Sequence, residues 1–270
     1  MNEAPSTAPA RRAPSVVKRV VSVWFRHYRV YSDTFLANAT PAVLEPVFFL
    51  LAVGFGVGRF VDAEFAGLDF ASFMAPGVLA MTCVYTASFE ATYGTWVRMR
   101  FQQTYDAMRA TPLTVQDIFA GELLWCATKG ALFGTIVGLV LLAFGKVLTP
   151  YALLIPVFGF LTAMAFGGLA LTVTSLVKNM NHFQFFFTIV LTPLVFFSGL
   201  VFPVQTLPVP LQVLAYSLPM FHVIESFRLI TCGPAHVTVS WAWACPLVLV
   251  VLAATLGWLG VRRMSSRMLK

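Results

Sequence analysis

FMAPGVLAMTCVYTASFEATYGTWVRMRFQQTYDAMRATPLTVQDIFAGELLW, Phe73 to Trp125, decides the fold. Phe73 to Val97 carries one charged residue, Glu90, in a run that is otherwise apolar or small. A bilayer crossing needs roughly 20 mostly apolar residues, so this run reads as a membrane span. Arg98 and Arg100 mark its boundary, and Phe101 to Ala110 reads as a short helix stopped ahead of Pro112. A residue preceding proline is pushed out of the α region. Thr114 and Asp117 have the S/T-x-x-D/E spacing that caps a helix start, so the next span begins there. A compact helix is thereby held between two membrane helices.

The same apolar signature recurs along the chain. Thr34 to Gly58, Ile118 to Gly145, Tyr151 to Val177, Phe183 to Phe202 and Ser240 to Val261 are each long enough to cross, making six spans with Phe73 to Val97. Hydrophobic residues make up 59% and charged residues 11%, with a mean hydropathy of +0.81. A soluble domain of 270 residues has no use for that much apolar sequence, because its surface must meet water. The expected fold class is an all-α integral membrane protein. It has six transmembrane helices, an N-terminal interfacial amphipathic helix, and two short re-entrant helices between spans five and six. The expected layout is a disordered cytoplasmic tail over 1–14, the amphipathic helix over 15–32, the six-span domain over 33–262 and a basic cytoplasmic tail over 263–270.

Basic residues orient the spans. Arg11, Arg12, Lys18, Arg19, Arg26 and Arg29 precede span one. Arg98, Arg100 and Arg109 follow span two, Lys178 follows span four, and Arg262, Arg263, Arg267 and Lys270 follow span six. The opposite loops hold only Arg59, Lys146 and Arg228, with Asp62, Glu64 and Asp69 beside the first. The positive-inside rule puts both termini in the cytoplasm, which an even number of crossings satisfies. These charges sit at span ends and form no single patch, so a pI near 9.5 does not indicate nucleic-acid binding.

Met1 to Pro14 is rich in Ala, Pro, Ser and Thr and reads as disordered, with no uninterrupted apolar run of the signal-peptide kind after it. Val17, Val20, Val21, Trp24, Tyr28 and Tyr31 then fall on one helical face, and Lys18, Ser22, Arg26 and Arg29 on the other. Such a helix suits the cytoplasmic lipid interface, or packing on a partner. Pro203 to Pro234 holds two apolar pieces, Val209 to Leu218 and Met220 to Ile230, too short to cross and punctuated by Pro208, Pro210 and Pro219. They read as helices dipping into the outer leaflet or lying flat on it. Glu225 and Arg228, three apart on one helical face, form a candidate pair.

Four ionisable residues fall inside the spans: Glu45, Glu90, Glu122 and Lys129. Charges at a span centre cost roughly 2.5–3.5 kcal/mol each, which calls for partners or a polar cavity. They line a hydrophilic path or a subunit seam on one reading. On the other they snorkel, and Glu122, one turn from the basic end, is expected to do so. Glu122 and Lys129 are seven residues apart, too far for a good direct pair along one helix. Pro41 and Pro46 predict a bend in span one beside Glu45. Catalytic chemistry finds little support. Cys83, Cys126, Cys232 and Cys245 show no metal-ligand spacing, and His27, His182, His222 and His236 are scattered, so no catalytic or metal site is expected. Gly54, Gly56 and Gly58 end a span, where close helix packing is the better reading than phosphate binding. No G-x-x-x-x-G-K-[ST] occurs, so any ATP-driven work must come from another subunit.

Phe73 to Trp125, together with LTPLVFFSGLVFPVQTLPVPLQVLAYSLPMFHVIESFRLI, Leu191 to Ile230, resembles the type-2 ABC exporter permeases (ABC-2). Within them it is most similar to the NodJ branch, membrane subunits of nodulation-factor lipo-oligosaccharide exporters. The resemblance runs from Val16 to the C-terminus. It implies two permease copies, expected as a homodimer, paired with two cytoplasmic, NodI-like ATP-binding-cassette ATPases. ATP-Mg would sit on those partners, with no cofactor on this chain. It also implies ATPase contacts through the Val16–Tyr31 helix and through Phe101–Ala110, with Arg100, Tyr105, Asp106 and Arg109 as the contact residues. The resemblance further implies a multi-pass protein of the bacterial cytoplasmic (inner) membrane, in contact with lipid, exporting a lipo-oligosaccharide or other amphipathic glycolipid. A drug-efflux permease of the same build is the alternative, and an intramembrane lipid-modifying enzyme using Glu45 or Glu90 is a more distant one.

Overall fold

The computed structural model describes residues 14–61, 65 and 67–269. The expectations for the tail before Pro14, for Asp62, Glu64 and Lys270 lie outside the described residues. Helix α1 is Val16–Ser32. Five helices are long and apolar enough to cross a membrane: α2 (Phe35–Phe60), α3 (Phe70–Arg100), α5 (Val115–Ala143), α6 (Pro150–Leu176) and α10 (Ala242–Met268). They coincide with five of the six expected spans. Between α3 and α5 lies the short helix α4, Thr104–Arg109.

The remaining expected span, Phe183 to Phe202, is a 17-residue helix, α7 (Met180–Phe196), at the lower limit for crossing. Its last expected turn is missing because the chain leaves the helix around Gly199, where φ is +84°. Two contacts nevertheless locate its ends. Phe183 packs edge-on against Trp96, 5.5 Å between ring centroids, at the basic end of α3. The Gly199 carbonyl accepts a hydrogen bond from Arg228, whose guanidinium also lies over Phe73 at the other end of α3. The segment therefore runs the length of α3.

Helices α8 (Val209–Ser217) and α9 (Pro219–Thr231) meet at 78°. The break falls where the sequence puts it: Leu218, ahead of Pro219, is extended at φ −74° and ψ 134°. Both ends of α9 touch the same end of the bundle. Phe221 packs on Trp241 at 5.7 Å, and the Leu148 N–H donates to the Thr231 carbonyl at 2.7 Å. There Lys146 also pairs with Asp69 at 2.8 Å. The pair stays at this end, opposite the basic one.

Helix α3 forms the centre of the body, with 83% of its most apolar stretch buried against 17% for α2. Small residues let the other helices close in. Where α6 and α10 cross, a Cβ on Gly168 would strike the backbone of Leu256 and Gly257, and a Cβ on Gly260 would strike the backbone of Gly168. Gly54 and Gly58 of α2 pack more loosely, against the side chains of Ala71 and Phe70, and Gly56 meets no side chain. The prolines of α2 sit inside a continuous α-helix, and the irregularity falls later, in a π-helical run over Leu50–Gly56.

Candidate functional site

Glu90, Arg98, Glu122 and Lys129 form one chain of ion pairs inside the helix body. Lys129 Nζ donates to Glu90 Oε2 at 2.7 Å, and Arg98 Nη1 donates to Glu90 Oε1 at 2.7 Å. Arg98 then grips Glu122 with both arms, Nη2 to Oε2 at 2.7 Å and Nε to Oε1 at 3.0 Å. Two acids and two bases cancel, which is how an interior can hold four ionised groups. The backbone makes the alignment possible. Residues eight apart on a regular α-helix point about 80° apart at about 100° per residue. The π-helical segment Glu90–Gly94 absorbs one extra residue, so Glu90 and Arg98 behave as if seven apart, within about 20° of one line. Gly94 keeps the space between them open: a Cβ there would lie 3.0 Å from Glu90 Oε1 and 3.3 Å from Arg98 Nη1.

Both helices at the basic end plug into this chain. Tyr105 of α4 is 1% exposed and donates its hydroxyl to Glu122 Oε1 at 2.5 Å. Burial, with the Glu122 carboxylate beside it, pushes the Tyr105 phenol well above its ordinary pKa, so it remains a donor. From α1, His27 Nε2 lies 3.0 Å from the same Glu122 oxygen. Helix α1 follows the start of α5 contact by contact. Arg19 sits 2.8 Å from Asp117, Val23 presses on Gly121, Trp24 Nε1 donates to Thr128 at 3.0 Å, and Lys129 lies over the Tyr31 ring at 4.4 Å. The start of α5 carries the expected capping box, with the Asp117 N–H donating to Thr114 Oγ1 and the Thr114 N–H to Asp117.

Several expectations need correction. Glu122 does not snorkel; it is fully buried and is the hub of the cluster. The helix after α3 is shorter than Phe101 to Ala110, because Gln103 adopts a left-handed φ of 48° that breaks α3 from α4. Tyr105 is no surface contact, since α4 turns it inward against Phe119. Asp106 and Arg109 are exposed, 3.9 Å apart, and Arg100 lies exposed over Trp96 at 5.5 Å. On α1, Val23 and His27 are buried against the body, while Val17, Val21 and Tyr28 of the expected lipid-facing side stay exposed, with Phe25 beside them, as a helix lying in an interface requires. Arg98, read as a boundary marker, and His27, read as one of four scattered histidines, were the site residues missed.

Glu225 and Arg228 do pair, both fully buried. Thr238 adds two donors to Glu225, its N–H at 3.0 Å and its hydroxyl at 2.7 Å. Arg228 donates onward to the carbonyls of Phe73 and Gly199. This pair fastens α9 and the loop before α10 to the end of α3.

Glu45 joins neither cluster. It is exposed on α2 and lines a cavity of about 620 Å³ between α2, α3 and α5. One wall of that cavity is the Glu90–Lys129 pair, and Phe49, Tyr85, Phe89 and Phe133 supply aromatic surface.

Five helices long and apolar enough to cross a membrane, packed around a neutralised charge chain, define a multi-pass membrane protein. Comparison with known proteins names its kind. The profile of the ABC-2 type transporter family matches residues 19–232. Nodulation protein J of Rhizobium meliloti (strain 1021) is 38% identical over 216 residues, covering 79% of this chain and 81% of that protein. Its counterpart in Bradyrhizobium diazoefficiens is 35% identical over 208 residues, 77% and 79% of the two chains. The inner membrane transport permease YadH of Escherichia coli (strain K12) is 21% identical over 242 residues, 90% and 94%. The chain belongs to the ABC-2 type transporter family, as a transmembrane permease similar to the nodulation J proteins. Membership implies an ABC ATPase as partner in general.

Proposed function

We propose that this chain is the permease subunit of an ATP-driven exporter that moves a lipo-oligosaccharide or other amphipathic glycolipid outward across a bacterial cytoplasmic membrane. The charge asymmetry supports a cytoplasmic basic end and cytoplasmic termini. The cargo class draws on the likeness to nodulation J proteins. The single observation that carries the mechanism is the chain Lys129–Glu90–Arg98–Glu122, which ends on Tyr105 of α4 and lies against His27 of α1. Helix α4 presents Asp106 and Arg109 outward to an ATPase and Tyr105 inward to the chain. Movement of α4 or α1 on ATP binding would pull on Glu122 and, through Arg98, on Glu90 at the cavity wall. Two permease copies with two ATPase subunits would complete the machine, the ATPases holding ATP and magnesium.

The test is ATPase activity in lipid nanodiscs, with this chain alone and with its ATP-binding-cassette subunit. Activity only in the complex, rising with added lipo-oligosaccharide, is the expected result. Asp106→Ala and Arg109→Glu should weaken the coupling without altering folding. Normal export by both variants at normal abundance would remove α4 from the contact, and turnover of a lipid by the isolated chain would overturn the permease mechanism.

A further inference from the structure

The cavity between α2, α3 and α5 has an electrostatic character of its own. The four charges of the buried chain cancel among themselves, so Lys129 at the cavity wall is already matched by Glu90. Glu45 is left over. Among the described residues it has no hydrogen-bond or ion-pair partner, and it is exposed where it lines the cavity. Asn38, seven residues earlier on the same face of α2, also lines it. Its amide nitrogen is committed to Thr34, which leaves the acceptor oxygen for a visitor. The Thr82 hydroxyl is spent on the Val78 carbonyl and the Tyr85 and Thr86 hydroxyls are neutral, so the one unmatched charge on the cavity wall is the Glu45 carboxylate. Around it, Phe49, Tyr85 and Phe133 present apolar faces that suit an alkyl chain and attract cations.

We infer that this cavity binds an amphiphile whose head is rich in hydrogen-bond donors and carries no net negative charge, the head lying against Glu45 and the alkyl chain along the aromatic wall. The inference rests on the exporter reading and narrows its cargo: an anionic head would meet the unmatched Glu45 carboxylate, whereas an amine or polyol would satisfy it. A lone carboxylate at the surface of a span is costly in lipid, and a donor-bearing head removes that cost only while it is bound.

The experiment needs no ATPase, so it can fail while the exporter reading stands, or succeed while that reading falls. Thr86 lines the cavity, and all four native cysteines are buried. Bimane on Thr86→Cys in permease-only nanodiscs reports occupancy by dodecylamine, dodecyl maltoside and dodecyl phosphate. The expected order is amine tightest, maltoside next and phosphate weakest, with amine and phosphate about tenfold apart or more. Glu45→Gln should collapse the gap between amine and phosphate, and Glu45→Asp should restore it. Equal binding of all three heads, tightest binding of phosphate, or an unchanged order in Glu45→Gln would each overturn the inference.

Discussion

The two buried ion clusters differ in what they connect. Glu225 and Arg228 lie one turn apart on α9, and their outer bonds go to backbone carbonyls and to Thr238, groups with little freedom to move. The chain at the basic end joins α3 and α5, takes a hydroxyl from α4 and abuts α1, and every one of its links is between side chains. The first cluster is built like a rivet. The second is built like a linkage, because an ion pair between two helices registers any displacement of one against the other. The difference teaches that burial and charge alone do not mark a working site; the number of independently mobile elements that share the charge does.

Removing the central base separates them most sharply. Arg98→Met leaves both Glu90 and Glu122 without their main partner, and breaking a buried pair costs about 3–5 kcal/mol. Arg228→Met also breaks a buried pair, but it strands one carboxylate rather than two and that one keeps both Thr238 donors, so a loss at the low end, about 3 kcal/mol, is expected. Denaturant titration of the two variants in micelles gives both numbers, and equal losses would erase the distinction. Close to it in size, Glu122→Gln keeps an acceptor for Tyr105 but removes the carboxylate facing Arg98, and costs about 3 kcal/mol. It should abolish coupling to the ATPase, while Glu225→Gln, at a similar cost, leaves coupling intact. ATPase rates of the two reconstituted complexes, with and without cargo, decide this. A coupled Glu122→Gln complex would make the basic-end chain another rivet.

What the sequence disclosed follows the same division. Length and hydropathy sum over many residues, so five spans appear where expected. The α5 cap and the α8–α9 break depend on neighbours a few positions apart, Thr114 with Asp117 and Leu218 with Pro219, and were legible for that reason. So was the Glu225–Arg228 pair, three residues apart. The linkage was not, because its partners lie 8, 24 and 39 positions apart and one separation is rephased by a π turn. Nothing in the pattern of Glu90 and Arg98 announces that turn. Tyr105 was misplaced for a related reason: six residues are too few for amphipathic spacing to say which face of α4 is covered. Hydropathy overstates span five, continuing through Phe202 while the helix stops at Phe196.

The π turn itself can be tested, with a smaller effect. Gly to Ala in a regular helix gains about 0.5–1 kcal/mol. Gly94→Ala should instead cost about 1 kcal/mol, since its methyl would crowd Glu90 Oε1 and Arg98 Nη1 in a packed interior. Stabilisation by Gly94→Ala would mean that the Glu90–Arg98 contact has slack and transmits little.

The smallest effect belongs to the exposed link at the opposite end, Lys146 with Asp69. Burial pushes the Asp69 carboxyl up, but hydrogen bonds from Lys146 and Ser72 outweigh it and hold the group below its ordinary pKa. A lowered folded value means that Asp69 stabilises the fold fully above its unfolded pKa of about 4 and loses that contribution as pH falls through the folded value. Asp69 is largely exposed, so Asp69→Asn should cost no more than about 1 kcal/mol at neutral pH. The stability curves of Asp69→Asn and the parent should then converge in acid. A gap that persisted at low pH would locate the effect in the Ser72 hydrogen bond rather than in charge, and would make this end of the molecule indifferent to ionisation outside the Glu225–Arg228 pair.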